Sequence, residues 1–228
     1  MAAADLPGID ATHRQVDRDF NCFGLNEVEA MADSIIYRGP LFVVAATDEW
    51  GPAIPYRPEI RGNGESNHGF FDLRDSPRSI SDIPEARKSR ALVQLLEVAN
   101  SSGSPLLTLG CECGCFPASP GASDDMVPYV GGYVDLAFRD PAANQKKENL
   151  TELASTIVKN TFVSMSWLVA FEFLVQPLPT FFGATGCFCL EVKSLGFGKI
   201  PDESWSAFEL ATTAITAAVR SFVSEQTC

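Results

Sequence analysis

Two short apolar runs carry cysteine at every second position: Cys111, Cys113 and Cys115 in LTLGCECGCF, and Cys187 and Cys189 in TGCFCLEV. A period of two belongs to a β-strand, whose successive side chains point to opposite faces, so within each run the sulfurs share a face. The chain is thereby committed to at least two strands with a sulfur-bearing side. Free cysteine is among the most often buried residues and behaves as a small hydrophobe, so core packing is the first expectation. Two alternatives stand beside it. If the two strands were neighbours with all five sulfurs on one face, four thiolates could converge at about 2.3 Å on a thiophilic ion, which makes Cys111, Cys113, Cys115, Cys187 and Cys189 minority metal candidates. The other is redox or cross-strand disulfide chemistry. Neighbouring cysteines of one strand stand about 6.6 Å apart along it, which makes a bridge between them poor.

Around these runs the chain reads as an α+β protein. Strands are expected at Leu41–Ala46, Leu106–Phe116, Tyr129–Arg139, about Ser166–Val175 and about Thr185–Phe197, each an apolar or alternating run bounded by turn residues. Helices are expected over Asn26–Ile36, from Ser81 or Asp82 with Leu92, Leu95, Leu96 and Ala99 on one stripe, and after Asp140-Pro141 with Leu150, Leu153, Ala154, Ile157 and Val158 inward. A last helix, behind a Ser206 to Glu209 capping box, places Phe208, Ala211, Ile215, Ala218, Val219 and Phe222 on one face. The order is β, then αββαββα. Strands joined by short connections pair antiparallel, so the expected fold is a mainly antiparallel sheet of about five to seven strands against three to four amphipathic helices. Residues 1–24 read as an acidic arm and 25–228 as a single domain, with 48–82 as a long irregular or edge-strand segment.

Lys and Arg number 17 against 29 Asp and Glu, a net charge of -12. That sign disfavours nucleic acid and an anionic membrane, and points to a basic protein or a cationic ligand. The most apolar stretch, Phe162 to Val175, contains Glu172 and ends at Gln176-Pro177, short of a membrane span. The first twenty residues hold four Asp and no apolar run of signal-peptide length, so the expected compartment is the cytoplasm, with its seven cysteines mostly thiols. The sequons at Asn100 and Asn149 matter only elsewhere.

The irregular segment concentrates recognition chemistry: Trp50, Tyr56, Arg57, Arg61, His68, Arg74 and Asp75 are the candidate partner-binding residues. Long irregular segments in compact proteins are often functional, and Trp, Tyr and Arg dominate many interfaces. Part of it is also expected to extend the sheet, since AIPYRPEI and HGFFDLR could each pair with LFVVAA. His68 lies near Ser66, Asp72 and Asp75 but at no recognised catalytic spacing, and GNGES lacks the lysine of a phosphate loop. No cofactor is expected. The leading functional expectation is a non-catalytic protein that binds a protein partner, as an inhibitor or immunity-type protein does. A small-molecule enzyme with a pocket near 48–82, and a cysteine-based metal or redox sensor, are the alternatives.

Overall fold

A computed structural model of the chain describes residues 35–39, 41–60, 66–74, 77–116, 129–163 and 168–226. The acidic arm, the Asn26–Ser34 part of the first expected helix, and two candidate site residues, Arg61 and Asp75, lie outside the described residues. Ile35 and Ile36 are not helical. They open β1 (Ile35–Arg38), which pairs antiparallel with β2 (Phe42–Ala46).

Six strands form one sheet in the order β1-β2-β7-β8-β6-β5, where β5 is Leu106–Phe116, β6 Tyr129–Phe138, β7 Val169–Leu178 and β8 Cys187–Phe197. Every neighbouring pair is antiparallel except β2 with β7, so the sheet is mixed but mainly antiparallel. The β5–β6 and β7–β8 pairs join through β6 and β8. A small ribbon, β3 (Glu59–Ile60) with β4 (Ser66–Asn67), stands apart. Neither segment expected to pair with LFVVAA does so, because β1 and β7 occupy both sides of β2; the end of AIPYRPEI, Glu59–Ile60, pairs instead with Ser66–Asn67, just before HGFFDLR.

Helices cover one face. These are α1 (Arg90–Ala99), α2 (Pro141–Asn144), α3 (Lys147–Asn160) and α4 (Pro201–Gln226). Val130, Val134 and Leu136 of β6, Phe171, Phe173 and Val175 of β7, and Leu190 and Val192 of β8 meet Leu92, Leu95, Ile157, Phe208, Ile215 and Val219 in the main core. Gly196 is required there: a Cβ on it would collide with the backbone of Ser204 and Phe208 where α4 crosses β8.

Several helix boundaries differ from expectation, each for a local reason. The first described helix begins at Arg90, behind a 3-10 turn at Pro77–Asp82, with Ser89 Oγ accepting from Leu92 N at 3.0 Å. Pro84 keeps the preceding residues out of the helix. Glu209, expected to close a capping box, instead accepts from Ala91 N at 2.9 Å across the helix pair, and α4 starts five residues earlier than Ser206, at Pro201. The helix after Asp140-Pro141 breaks at Gln145, because the buried Asn144 side chain pairs with both backbone groups of Phe138 at 2.8 Å. Strand β7 runs through Pro177 to Leu178. The ladder to β2 ends at Val175, so the proline faces an open side, and its carbonyl accepts from Gly51 N at 2.8 Å. Among the described residues no helix is long and apolar enough to cross a membrane. Asn100 of the first sequon is buried, holding Leu96 O and Thr108 by its side chain.

Candidate functional site

Part of the second face of the sheet is covered by chain without helix. Residues 50–58 and 66–74 cross it as a strap, tied down by Gly51 N to Pro177 O (2.8 Å), Ile54 N to Thr180 O (2.9 Å) and Phe182 N to Ile54 O (2.9 Å). Phe70 N donates to Tyr56 O at 3.1 Å and holds the two halves of the strap together. Ile54, Phe181, Leu178, Leu107, Leu109, Ala137, Cys187 and Cys189 form its apolar anchor, with Tyr56, Phe70 and Phe182 packed on them.

Beside that anchor the sheet turns polar. The pairing register aligns Glu112 with Tyr133, Tyr133 with Lys193 and Lys193 with Glu172 in one row across four strands. The next row aligns Gly110, Asp135 and Glu191. Lys193 Nζ lies 3.0 Å from Glu172 and 3.1 Å from Glu191. Those two carboxylates hold Lys193 charged despite its burial, while Glu172, only 2% exposed, is raised by desolvation in spite of the ion pair. Asp135 is 4% exposed, and its Oδ1 has no hydrogen-bond partner. Burial first, and the Glu191 charge second, push its carboxyl well above the ordinary range, so it holds a proton where a surface aspartate would not. Burial likewise raises the Tyr133 phenol.

Two adjoining cavities open beside the strap, the smaller over the sheet and the larger at its β5 edge, toward Ile83, Pro84 and Leu96. The smaller, about 260 Å³, is lined by Trp50, Gly51, Pro52, Tyr56, Asn67, Gly110, Tyr133, Asp135, Gln176 and Glu191. The larger, about 400 Å³, shares Tyr56, Asn67, Gly110 and Tyr133 with it and extends to His68, Glu85, Lys88, Cys111 and Glu112. Gly110 floors the junction. A Cβ there would stand 3.3 Å from both Asp135 Oδ2 and Tyr56 Oη.

The candidate residues of the irregular segment are only partly gathered. Trp50 and Tyr56 meet at the smaller cavity, and Tyr56 and His68 at the larger. Trp50 is 65% exposed and forms part of the rim. Arg57 is exposed and lines neither cavity. Arg74 sits over the Phe182 ring at 4.1 Å and bonds Asp72 through Nε at 2.8 Å, which holds the Asp72 carboxyl below its usual range.

The five sulfurs do not share a face. Cys111, Cys113 and Cys115 pair opposite Val134, Gly132 and Val130 and point to the helices, whereas Cys187 and Cys189 point to the strap, and β6 separates the two strands. The convergence a four-thiolate site needs is therefore not built. Among the described residues no group of three or more His, Cys, Asp or Glu is placed to hold a metal ion. Burial raises the Cys111 and Cys189 thiols and pushes Cys113 up to about 11, which keeps these sulfurs protonated and poor nucleophiles.

The residues missed from sequence are Asp135, Tyr133, Glu191, Lys193 and Gln176, all on strands. A signal existed: YVGGYVDLAF and CLEVKS each set polar groups on one parity and Val or Leu on the other. Comparison with protein-family models, curated proteins and solved structures gives no match, so function rests on this geometry.

Proposed function

We propose that this is a non-catalytic recognition protein that receives a basic protein partner on the strap side of its sheet, as an inhibitor or immunity-type protein would. One observation carries the reading: Asp135, a buried carboxyl whose Oδ1 has no partner, lines a cavity that Glu191 also lines. A buried acceptor of this kind costs stability unless something donates to it. The net charge of -12 favours a cationic donor and steers it inward. Exposed apolar groups, Trp50 at the cavity rim and the 79%-exposed Ile60 of the β3–β4 ribbon, supply the hydrophobic contact that a protein partner would cover. The five described cysteines are all free, which suits a reducing compartment such as the cytoplasm.

Capture on the immobilised chain from its source lysate tests this. The expected result is a basic protein retained at low salt, released at high salt and lost with Trp50→Ala or Asp135→Asn. Retention insensitive to both substitutions overturns the reading.

A second reading, a small-molecule enzyme, draws on the register pairing of Asp135 with Glu191 across β6 and β8, where burial keeps Asp135 protonated, with His68 in the adjoining cavity. Such a pair could serve as acid and base. Turnover of chromogenic ester or glycoside substrates that disappears with Asp135→Asn would favour it over simple binding.

A further inference from the structure

We infer that the smaller cavity, lined by Trp50, Tyr56, Tyr133, Asp135 and Glu191, is a cage for an alkylammonium group. The inference rests on the reading of this face as a cation-receiving surface and narrows it to one functional group, borne by a free amine or by a lysine side chain of a partner.

One carboxyl of the polar cluster has no donor, and a cation seated beside it would take the place of the proton that burial keeps there. Lys193 reaches Glu172 and Glu191, at 3.0 and 3.1 Å, but Asp135 Oδ1 receives no bond from any side. That oxygen belongs to a side chain 4% exposed, on a residue lining the cavity. Three aromatic residues in the same wall add a second attraction. The faces of Trp and Tyr rings draw cations, and cages of such rings recognise ammonium groups. The wall disfavours other cations. A divalent metal wants several oxygen ligands at short range, and among the described residues no group of three metal-ligating side chains is so placed. A guanidinium suits a carboxylate offering both oxygens as a fork, whereas burial closes Asp135 Oδ1 off and leaves Oδ2, beside Gly110, which fits the compact ammonium head. The aliphatic stem of the ligand would leave past Trp50 toward solvent, the Trp50 ring being largely exposed.

The test titrates the full chain with n-butylammonium chloride against n-butanol, with sodium chloride holding ionic strength constant, and reads tryptophan fluorescence and calorimetric heat. Butylammonium is expected to saturate and butanol not to. Trp50→Ala and Asp135→Asn should each weaken binding about tenfold. Trp50 is a surface residue, so its variant keeps the test decisive should Asp135→Asn unfold. Nα-acetyl-lysine amide binding more tightly than butylammonium assigns the group to a partner's lysine, and the reverse order to a free amine. Absence of saturable ammonium binding, or binding indifferent to both substitutions, overturns the cage. If arginine amide alone binds in a Trp50- and Asp135-dependent manner, the cationic-partner reading stands and the cage falls; if no cation binds, both fall.

Discussion

The two faces of this sheet are built from the same strands and obey opposite rules. On the helix side, alternate residues of β6, β7 and β8 are Val, Leu and Phe, buried beneath α1, α3 and α4. On the strap side the intervening residues include Tyr133, Asp135, Glu172, Glu191 and Lys193, and the cover is irregular chain held by a few backbone bonds. The first face is what holds a fold together, since stability follows apolar area removed from water. The second carries desolvated charge, which weakens a fold unless every group is paired, and one group is not. A chain that keeps such a face accepts lower stability for a chemically equipped surface.

Substitutions on the two faces should therefore behave differently in kind. Phe171, fully buried and stacked on Phe42 with centroids 5.0 Å apart, belongs to the helix face. Phe171→Ala should cost about 3–5 kcal/mol in urea unfolding, with no rescue by any change on the strap face. A loss below about 1 kcal/mol would mean that this core is loosely packed and that the contrast is overstated.

On the strap face, rescue is the signature. Lys193→Met leaves Glu172 buried beside Glu191 without a counter-charge and should cost about 3 kcal/mol. Lys193→Met combined with Glu172→Leu should recover most of that, because the pair is then replaced by apolar volume. Simple additivity of the two substitutions would show that no coupled ion pair exists there.

Asp135 gives a smaller effect with a defined sign. Its carboxyl is raised in the fold, so the native state holds the proton more tightly than the unfolded chain does, and stability declines as pH rises from the unfolded value of about 4 toward the folded one. Glu172, raised by burial, slopes the same way. Asp135→Asn should raise Tm by a few degrees at neutral pH, about the scale of 1 kcal/mol for a protein of this size. The gain should vanish below about pH 3, where both states are protonated. An equal gain at both pH values would assign the effect to packing instead of ionisation.

The helix face was legible in the sequence and the strap face was not, for a physical reason. Apolar periodicity is repeated along each element, so Leu92, Leu95, Phe208 and Ile215 declare their side without knowledge of any neighbour. The polar site arises only when four strands take a particular register, which brings Glu112, Tyr133, Lys193 and Glu172 into a row although they are scattered over some eighty positions. Register is a long-range property. The parallel pairing of β2 with β7 was hidden in the same way, because no short connection links them. Tyr56 and Trp50 were found by composition; Asp135, which gives them something to work with, lay in a strand that looked ordinary.

The cysteines offer the mildest test, since modifying them probes cover without altering stability. Cys111, Cys113 and Cys115 all point to the helix side, but their cover is uneven: Cys113 is buried with Sγ 3.5 Å from Glu85 O, Cys111 is half-buried, and Cys115 is exposed. Cys187 and Cys189 lie beneath the strap, fully buried. Alkylation of the native protein at neutral pH, followed site by site by mass spectrometry, should therefore, among the five described cysteines, mark Cys115 first and Cys111 far more slowly. Cys113, with its thiol pushed up to about 11, should resist until the protein unfolds, as should Cys187 and Cys189. Early labelling of Cys189 would mean that the strap lifts while the helices stay in place. The two faces would then differ in mobility as well as in chemistry, with the cavity floor open to solvent for part of the time.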